Sequence, residues 1–211
     1  MKILHTSDWH LGAKTEGRSR LREQQEVMAE IVELANMEKV DLVLIAGDVF
    51  DQAIPSSEAE DLFYKTIEAL SANGDRVIVA IAGNHDDPKR LTAGDHFAVK
   101  HNVVLAGDLK PKMVSKEFKK GTIESTFPGA VEVNFKTSRG TEKCVVAMLP
   151  YPSEYRFEEV SKEDNYAGKV KDWARIVCKG FKKDATNILL THLMLVGSQV
   201  VQNGQDVTLR V

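Results

Sequence analysis

Short apolar runs alternate along the chain with segments whose apolar residues recur every three or four positions. Continuous apolar runs are typical of strands that are buried on both faces, whereas the wider spacing is typical of helices with one buried face. Strands are predicted within 2–6, 41–48, 76–86, 102–106 and 187–192. Because strands and helices alternate, the pattern predicts an α/β layered domain in which helices flank central sheets.

Four helices are predicted in the segments between these strands. Ser57 and Glu60 have the spacing of a capping box, which places the start of the second helix near residue 57. The Asn-Gly pair at 73–74 is a C-terminal capping signal for the same helix, and Asp87 before a proline is a start signal for the third. The predicted helices cover 20–38, 57–73, 87–101 and 166–182.

Between residues 113 and 150 apolar and polar residues alternate, which is typical of strands with one solvated face. V-E-V-N-F, the turn T-S-R-G-T and K-C-V-V-A-M-L-P follow one another in the order of a β-hairpin. The sequence therefore predicts a hairpin insertion in this segment. The length predicts one domain over residues 1–211.

The composition is that of a globular protein, with 43% hydrophobic and 28% charged residues. The net charge is −3, so affinity for nucleic acid requires a local basic surface. No apolar run approaches the length of a secretory signal or a membrane span. Cys144 and Cys178 are too few for a disulfide framework. A cytoplasmic protein without a membrane segment is expected.

Four of the predicted strands end in side chains that commonly bind metal ions. In open α/β sheets, sites form outside the carboxyl ends of the strands, where side chains from several strands converge. Each residue alone has another explanation as a turn residue, a left-handed loop residue or a core histidine, but agreement among four strand ends favours one shared site. The residues are Asp8 with His10, Asp48, Asn84 with His85, and His192.

These side chains offer carboxylate, imidazole and amide donors, with no thiolate. Such a set suits a divalent ion such as Mn²⁺ better than a closed structural zinc site. A carboxylate such as Asp48 that bridges two ions about 3.5–4 Å apart supports activation of water and in-line displacement at phosphorus. The sequence therefore predicts a two-metal hydrolase of phosphoesters.

The motifs at the strand ends resemble those of a known family. The series D-W-H, G-D-V-F-D, G-N-H-D and T-H-L resembles the calcineurin-like metallophosphoesterases. More narrowly, H-T-S-D-W-H-L-G with G-D-V-F-D and P-Y-P-S-E-Y-R-F resembles the SbcD-type nucleases within that family. The resemblance implies that Asp8 and His10 bind one ion and that Asp48 bridges the two. It further implies that Asn84 and His192 bind the second ion.

The same resemblance implies a catalytic role for His85, which would stabilise the transition state or protonate the leaving oxygen rather than bind metal. Asp51 and Asp86 either orient the ligands through hydrogen bonds or cap local turns, and the sequence leaves both possibilities open. Trp9 lies between two predicted ligands, so its side chain is expected to point away from them and to pack beneath the loop.

The resemblance also implies a DNA nuclease of repair and recombination, acting at DNA ends and hairpins as a double-strand 3'-5' exonuclease and a single-strand endonuclease. The implied partners are DNA, an SbcC-type coiled-coil ATPase and a second copy of the chain. The family's Gly-His-x-His motif has no counterpart after His192. We therefore expect a domain that is incomplete at its C-terminus and lacks the capping domain, with one imidazole missing from each ion.

A basic segment follows the first predicted ligands and is the candidate DNA contact, because lysine and arginine neutralise backbone phosphates. The alternative is an ordinary solvated surface. The residues are Lys14, Arg18, Arg20 and Arg22.

Two other functions remain open from the sequence. A phosphodiesterase or phosphatase for a small substrate would use the same chemistry. An inactive module would dimerise or dock a partner through the second and third helices, unless their apolar side chains face the chain's own sheet. Those side chains are Leu62, Phe63, Ile67, Leu91 and Phe97.

Overall fold

A computed structural model describes most of the chain. The described residues are 1–109, 114–137, 140–153 and 165–194, with the backbone of 199–202 and 205–208. The turn of the predicted hairpin at 138–139 and the second half of P-Y-P-S-E-Y-R-F, residues 154–157, lie outside these ranges. Within them, no helix combines the length and the apolar character that crossing a bilayer requires.

The elements follow one another in the alternating order that the hydrophobic pattern predicts. The helices are α1 (Leu21–Met37), α2 (Ser57–Ser71), α3 (Pro88–Leu91), α4 (Asp95–Ala98) and α5 (Tyr166–Val177). The strands are β1 (Ile3–Thr6), β2 (Lys14–Thr15), β3 (Arg18–Ser19), β4 (Leu42–Ala46), β5 (Val77–Ile81), β6 (Val103–Ala106), β7 (Ser115–Phe118), β8 (Gly121–Phe127), β9 (Ala130–Thr137), β10 (Gly140–Leu149), β11 (Thr186–Thr191), β12 (Gln199–Gln202) and β13 (Gln205–Thr208).

Two sheets form the centre of the domain. The first has the strand order β1-β4-β5-β6, and all its strands are parallel. The second has the order β11-β10-β9-β8-β7, in which β10 and β11 are parallel and the other neighbours are antiparallel. Parallel strands end at the same edge of a sheet, so β1, β4 and β5 bring their following loops together.

Apolar side chains from both sheets form a shared core between them, including Leu44 and Val79 from the first sheet and Val133 and Val146 from the second. Helices α1 and α2 cover the other face of the first sheet. Helix α5 covers the other face of the second through Trp173 and Val177. The domain therefore has helix, sheet, sheet and helix layers, which confirms the predicted fold class.

The predicted strand positions are confirmed, and the predicted hairpin is present as β9 and β10. The hairpin is an integral part of the second sheet, because β9 also pairs with β8 and β10 also pairs with β11. Cys144 lies in the core between the sheets, where burial raises the pKa of its thiol to about 11. It is therefore a packing residue rather than a reactive thiol.

The predicted third helix is wrong as a continuous element. The chain forms α3, turns, forms α4 and ends in a 3₁₀ turn at Val99–His101. The interruption falls at Thr92 to Gly94, where the Thr92 hydroxyl donates to the carbonyl of Pro88 at 2.8 Å. A threonine whose hydroxyl bonds to the carbonyl four residues earlier weakens a helix interior, and so does a glycine. The segment therefore breaks into two short helices.

The start of α2 differs by one residue from the predicted capping box. Ser56, not Ser57, is the N-cap, and its hydroxyl accepts a hydrogen bond from the backbone N–H of Ala59 at 3.3 Å. Helix α5 ends at Val177 and continues as a 3₁₀ turn to Gly180, which is shorter than the predicted range.

Arg76 ties the two helices of the outer layer to the first sheet. The residue is 4% exposed, and its guanidinium donates to the carbonyls of Val40 at 2.9 Å, Leu70 at 2.6 Å and Ala35 at 3.0 Å. The last two carbonyls belong to the C-terminal turns of α2 and α1, which lack partners within their own helices. Burial lowers the pKa of this guanidinium below its ordinary value.

Arg76→Met is expected to lower the free energy of unfolding by about 2–3 kcal/mol, because the substitution keeps the apolar bulk but removes the guanidinium donors from the buried carbonyls of Val40 and Leu70. Urea unfolding followed by circular dichroism measures the loss. Arg22→Met is the matched control, since the Arg22 side chain is 89% exposed on α1 and should change stability by less than about 0.5 kcal/mol. Equal stability of the two variants would contradict the role given to Arg76.

Candidate metal centre

The loops after β1 and β4 continue the pairing of these two strands beyond the sheet. The backbone N–H of Asp8 donates to the carbonyl of Gly47 at 3.0 Å, and that of His10 donates to the carbonyl of Asp48 at 3.0 Å. Leu11 pairs in the same way with Val49 at 2.9 Å. The two loops therefore run side by side and present Asp8, His10 and Asp48 at one edge.

Three of the predicted ligands have a left-handed backbone. The φ angles are 58° at Asp8, 44° at His10 and 49° at Asp48. Each such conformation in a residue other than glycine costs about 1–3 kcal/mol and persists only where surrounding contacts hold it. Strain of this kind clusters at functional sites, which agrees with the predicted location of the site.

Trp9 anchors the first loop from below. Its side chain is 7% exposed, its ring packs edge-on against Phe63 at a centroid distance of 6.5 Å, and its Nε1–H donates to Thr6 Oγ1 at 2.9 Å. The expectation that Trp9 packs beneath the loop is confirmed. Asp8 and His10, on either side of Trp9, lie together on the open side, with Asp8 Oδ1 3.8 Å from His10 Nε2.

Asp48 lies at the centre of the cluster and is only 3% exposed. Its Oδ1 accepts a hydrogen bond from the backbone N–H of His85 at 2.9 Å. Its Oδ2 lies 3.6 Å from His10 Nε2 and 3.4 Å from His192 Nε2. One carboxylate oxygen thus lies between imidazoles from two different strand ends, which is the placement that a bridging ligand requires.

His192 follows β11 of the second sheet and completes the far side of the cluster. Its Nδ1 lies 2.7 Å from the carbonyl oxygen of Ala46, so the ring donates its Nδ1–H there and leaves Nε2 as an acceptor. Nε2 lies 3.0 Å from Asn84 Oδ1. Both sheets therefore contribute side chains to one site.

Asp8 occupies the near side of the cluster, with Oδ1 3.8 Å from His10 Nε2. Ligand atoms of Asp8, His10 and Asp48 all lie within 4.8 Å of one another. The structure therefore brings all five predicted ligands together. Asp8 and His10 lie on one side of Asp48, and Asn84 and His192 lie on the other, so Asp48 belongs to both halves of the site.

The chemistry of these residues fits a divalent cation. Within the described part of the chain, no lysine or arginine nitrogen lies within 4.0 Å of the Asp48 carboxylate. The buried Asp48 carboxylate has imidazoles near Oδ2 and a backbone amide at Oδ1, but no permanent positive charge among these neighbours, and such burial is costly without one. Oxygen and imidazole donors without thiolate are the set that manganese and similar ions accept.

His85 lies beside the cluster with its ring fixed by the backbone. Its Nδ1 lies 2.7 Å from the carbonyl oxygen of Asp51, and its ring packs edge-on against His10 at 4.7 Å. The hydrogen bond to the Asp51 carbonyl raises the pKa of the His85 imidazole, and the nearby carboxylates act in the same direction. Because Nδ1–H is donated to that carbonyl, Nε2 is the ring nitrogen that is not used in this hydrogen bond.

Asp51 contacts the outer side of His10. Its Oδ1 lies 3.6 Å from His10 Nδ1, while the other imidazole nitrogen faces Asp8 and Asp48. A carboxylate at the distal nitrogen of a metal-binding histidine fixes the ring orientation and tautomer. The geometry therefore favours the orienting alternative for Asp51.

Asp86 contacts backbone amides instead. It is 4% exposed and accepts hydrogen bonds from the N–H groups of Val49 at 3.1 Å, Phe50 at 2.9 Å and Gly83 at 2.8 Å. Burial raises the pKa of its carboxyl group, and the three amides oppose that shift. Asp86 thus caps the loop after β4 and joins it to the loop after β5, which is the capping alternative.

Comparison with known proteins agrees with this geometry. A family model described as calcineurin-like phosphoesterase matches residues 1–209. The chain is a calcineurin-like phosphoesterase. The predicted family is therefore confirmed over nearly the whole chain.

Two relatives of the phosphoesterase are both named as the SbcD component of the nuclease SbcCD. The phosphoesterase is 35% identical over 205 residues to the protein of that name from Bacillus subtilis strain 168, covering 93% of this chain and 48% of the relative. It is 36% identical over 109 residues to the protein from Staphylococcus saprophyticus, covering 52% of this chain and 29% of the relative. The phosphoesterase thus spans about half the length of the first relative and less of the second.

A groove of about 610 Å³ opens beside the candidate ligands of the phosphoesterase. Its walls include Asp8, Asn84 and His192, together with His5 and Tyr151. The Tyr151 ring lies 6.4 Å from the His192 ring. The groove leaves the edge where the candidate ligands meet open to solvent.

The predicted DNA-contact residues divide into two groups in the phosphoesterase. Lys14 and Arg18 lie exposed on the β2–β3 hairpin, and no carboxylate oxygen of the described residues lies within 4.0 Å of either charge. The other two pair with acidic residues of α1. Arg20 Nε lies 3.3 Å from Glu23 and Arg22 Nε lies 3.7 Å from Glu26.

The residues proposed for docking mostly face the phosphoesterase's own core. Phe97 is the exception, because 72% of it is exposed. It lines an apolar cavity of about 550 Å³ between α2 and α4. The other four are between 1% and 7% exposed: Leu62, Phe63, Ile67 and Leu91.

Gln24 is a site residue that the sequence pattern alone did not reveal. Its side chain, from α1, reaches the backbone of the loop that carries His10. One signal was present in the sequence: Gln24 is a polar residue within the apolar stripe of α1, between Leu21 and Met28. A polar side chain on a buried helical face requires hydrogen-bond partners, and here the partners are in the site.

Proposed function

We propose that the chain is the nuclease domain of a DNA-processing enzyme and hydrolyses phosphodiester bonds with two Mn²⁺ ions. The observation that carries the proposal is the convergence of carboxylate, amide and imidazole groups from four strand ends around the buried Asp48. Membership of the phosphoesterase family supports the reaction class. The names of the two relatives support nucleic acid as the substrate.

In this proposal Asp8 and His10 bind one ion, Asn84 and His192 bind the other, and Asp48 bridges them. Such a pair of ions supplies a water that is nucleophilic at neutral pH and stabilises charge on the attacking and leaving oxygens. The loops that carry Asp8, His10 and Asp48 are fixed by backbone hydrogen bonds, so these residues hold their donor atoms in place before substrate arrives.

His85 contributes as a proton donor. Its Nδ1–H is held by the Asp51 carbonyl, and the raised pKa of its imidazole favours the protonated form that can donate from Nε2. A donor near the leaving oxygen lowers the barrier to its departure.

The proposed substrate is DNA, cut at ends and hairpins by double-strand 3'-5' exonuclease and single-strand endonuclease activity. The relatives are named as one component of a nuclease called SbcCD, which supports an SbcC-type ATPase as a partner of the protein. The relative from Bacillus subtilis, named as a subunit of that nuclease, is about twice as long as this chain.

A substrate comparison tests the proposal. The chain, and a version extended to the length of the relatives, are incubated with Mn²⁺ and linear duplex DNA, hairpin DNA or bis-p-nitrophenyl phosphate. Cleavage of DNA with Mn²⁺ and its loss with a chelator are expected. Turnover of the small diester without any cleavage of DNA would favour the small-substrate alternative and reject the nuclease assignment.

The β2–β3 hairpin is the proposed DNA contact. Lys14→Gln combined with Arg18→Gln is expected to weaken DNA binding and to lower the slope of log affinity against log salt by about 2, because each side chain neutralises one phosphate. Fluorescence anisotropy at several salt concentrations measures the slope. Arg22→Gln is the control, because Arg22 already pairs with Glu26. Equal slopes in the unsubstituted chain, the double variant and Arg22→Gln would show that DNA does not contact the β2–β3 hairpin.

We also propose a homodimer through the face that carries Phe97, where exposed Phe97 and Tyr64 border the apolar cavity between α2 and α4. Phe97→Glu is expected to shift the chain to a monomer, since a charge would be buried at the contact. Sedimentation velocity measures the mass. Met37→Glu changes a side chain of similar exposure, 65%, on α1 and should leave the mass unchanged. A monomer before any substitution would remove the dimer proposal.

A further inference from the structure

Gln24 makes three hydrogen bonds to the backbone of one loop. Its Nε2 donates to the carbonyl of His10 at 2.7 Å and to that of Trp9 at 3.2 Å. Its Oε1 accepts from the backbone N–H of Gly12 at 2.9 Å. Both the amide nitrogen and the amide oxygen of this one side chain therefore form hydrogen bonds with the segment that carries His10.

The conformation of that segment explains why it needs such contacts. His10 has φ of 44°, which is sparsely populated for a residue other than glycine and persists only where its surroundings impose it. The His10 carbonyl also accepts from the N–H of Ala13 at 3.0 Å, so it is fixed both by its own loop and by helix α1. Helix α1 is itself anchored in the core by Met28, which is 4% exposed.

We infer that Gln24 is a positioning residue that holds the His10 imidazole in the orientation required for metal binding. The inference rests on the proposed function, in which His10 is a ligand. Gln24 touches neither the imidazole nor a substrate and acts only through the peptide groups on either side of it. Asp51 fixes the same ring from its distal nitrogen, so the two residues control the backbone and the side chain of one ligand separately.

Two substitutions separate positioning from general stabilisation. Gln24→Ala removes all three hydrogen bonds. Gln24→Glu keeps the acceptor for the Gly12 amide but loses both donors and places a carboxylate against two carbonyl oxygens. Gln25→Ala is the matched control, because Gln25 is the next residue of α1 and is exposed.

Two measurements are made on each variant. Isothermal titration with Mn²⁺ should show affinity weakened by about 10–100-fold in both Gln24 variants and unchanged in Gln25→Ala, which is the typical effect of losing a group that orients a metal ligand. In the metal-free chain, NMR should show a shifted His10 ring resonance in both Gln24 variants. Exchange of the Gly12 amide should accelerate in Gln24→Ala and stay slow in Gln24→Glu.

Mn²⁺ affinity within twofold of the unsubstituted chain in Gln24→Ala would overturn the inference. Failure of the unsubstituted chain to bind Mn²⁺ would instead reject the proposed metal centre. In that case the NMR measurement still decides the role of Gln24, because an unchanged His10 ring resonance in Gln24→Ala would show that the side chain does not position His10.

Discussion

Asp48→Asn is expected to reduce phosphodiester hydrolysis by about 10³-fold or more. The carboxylate is the one group common to both halves of the site, with Oδ2 3.6 Å from His10 and 3.4 Å from His192. Asparagine keeps the shape and the oxygen that accepts from the His85 N–H, but it removes the charge that would bind the proposed cations. Initial rates with saturating Mn²⁺ and metal analysis of the dialysed protein measure the effect.

The control for this substitution is the metal-free chain. Because asparagine is isosteric and retains the 2.9 Å hydrogen bond from His85, the circular dichroism spectrum and the thermal midpoint without metal should remain close to those of the unsubstituted protein. Retention of both bound ions and of more than a tenth of the activity would show that Asp48 is not the bridging ligand.

Gly83→Ala is expected to lower the free energy of unfolding by about 3 kcal/mol or more and to abolish measurable hydrolysis. A Cβ at this position would lie 2.1 Å from Asp48 Oδ1 and 2.2 Å from the Asp48 backbone nitrogen. Backbone cannot move aside as a flexible side chain would, so the loops after β4 and β5 must separate. Urea unfolding and Mn²⁺ titration report the two consequences.

Gly17→Ala provides the comparison for Gly83→Ala. Gly17 has φ of +79° on the β2–β3 turn, and a Cβ there meets no atom within 4 Å. Gly17→Ala should lower the free energy of unfolding only by the strain of a left-handed alanine, about 1–2 kcal/mol. It should leave Mn²⁺ binding intact. A Gly83 variant no worse than the Gly17 variant would contradict the close packing of the two loops.

The hydrophobic pattern predicted the layers and the position of the site because both depend on short-range features. Continuous apolar runs such as Leu42–Ala46 are typical of strands buried on both faces, and their carboxyl ends must share an edge if they are parallel. The polar residues that follow them, including Asp48 and Asn84, were therefore predicted to converge, and the structure brings them together.

The features that the sequence did not predict depend on particular hydrogen bonds of the folded chain, some local and some between distant residues. Periodicity could not show that the segment after Pro88 breaks at Thr92, because the break depends on local hydrogen bonds that compete with the helix. It also could not separate the roles of Asp51 and Asp86, since one faces an imidazole and the other faces three amides. Both residues are aspartates that follow a predicted strand, so their different partners are known only from the folded structure.

The left-handed residues of the candidate centre have a consequence for engineering the protein. Glycine adopts φ near +50° without the penalty that Asp8, His10 and Asp48 incur. A programme that selects substitutions for thermal stability alone would therefore favour glycine at these three positions and would remove the proposed ligands one by one. Selection for hydrolysis would retain these side chains, whereas selection for an unstrained backbone would remove them, so the two requirements conflict in these loops.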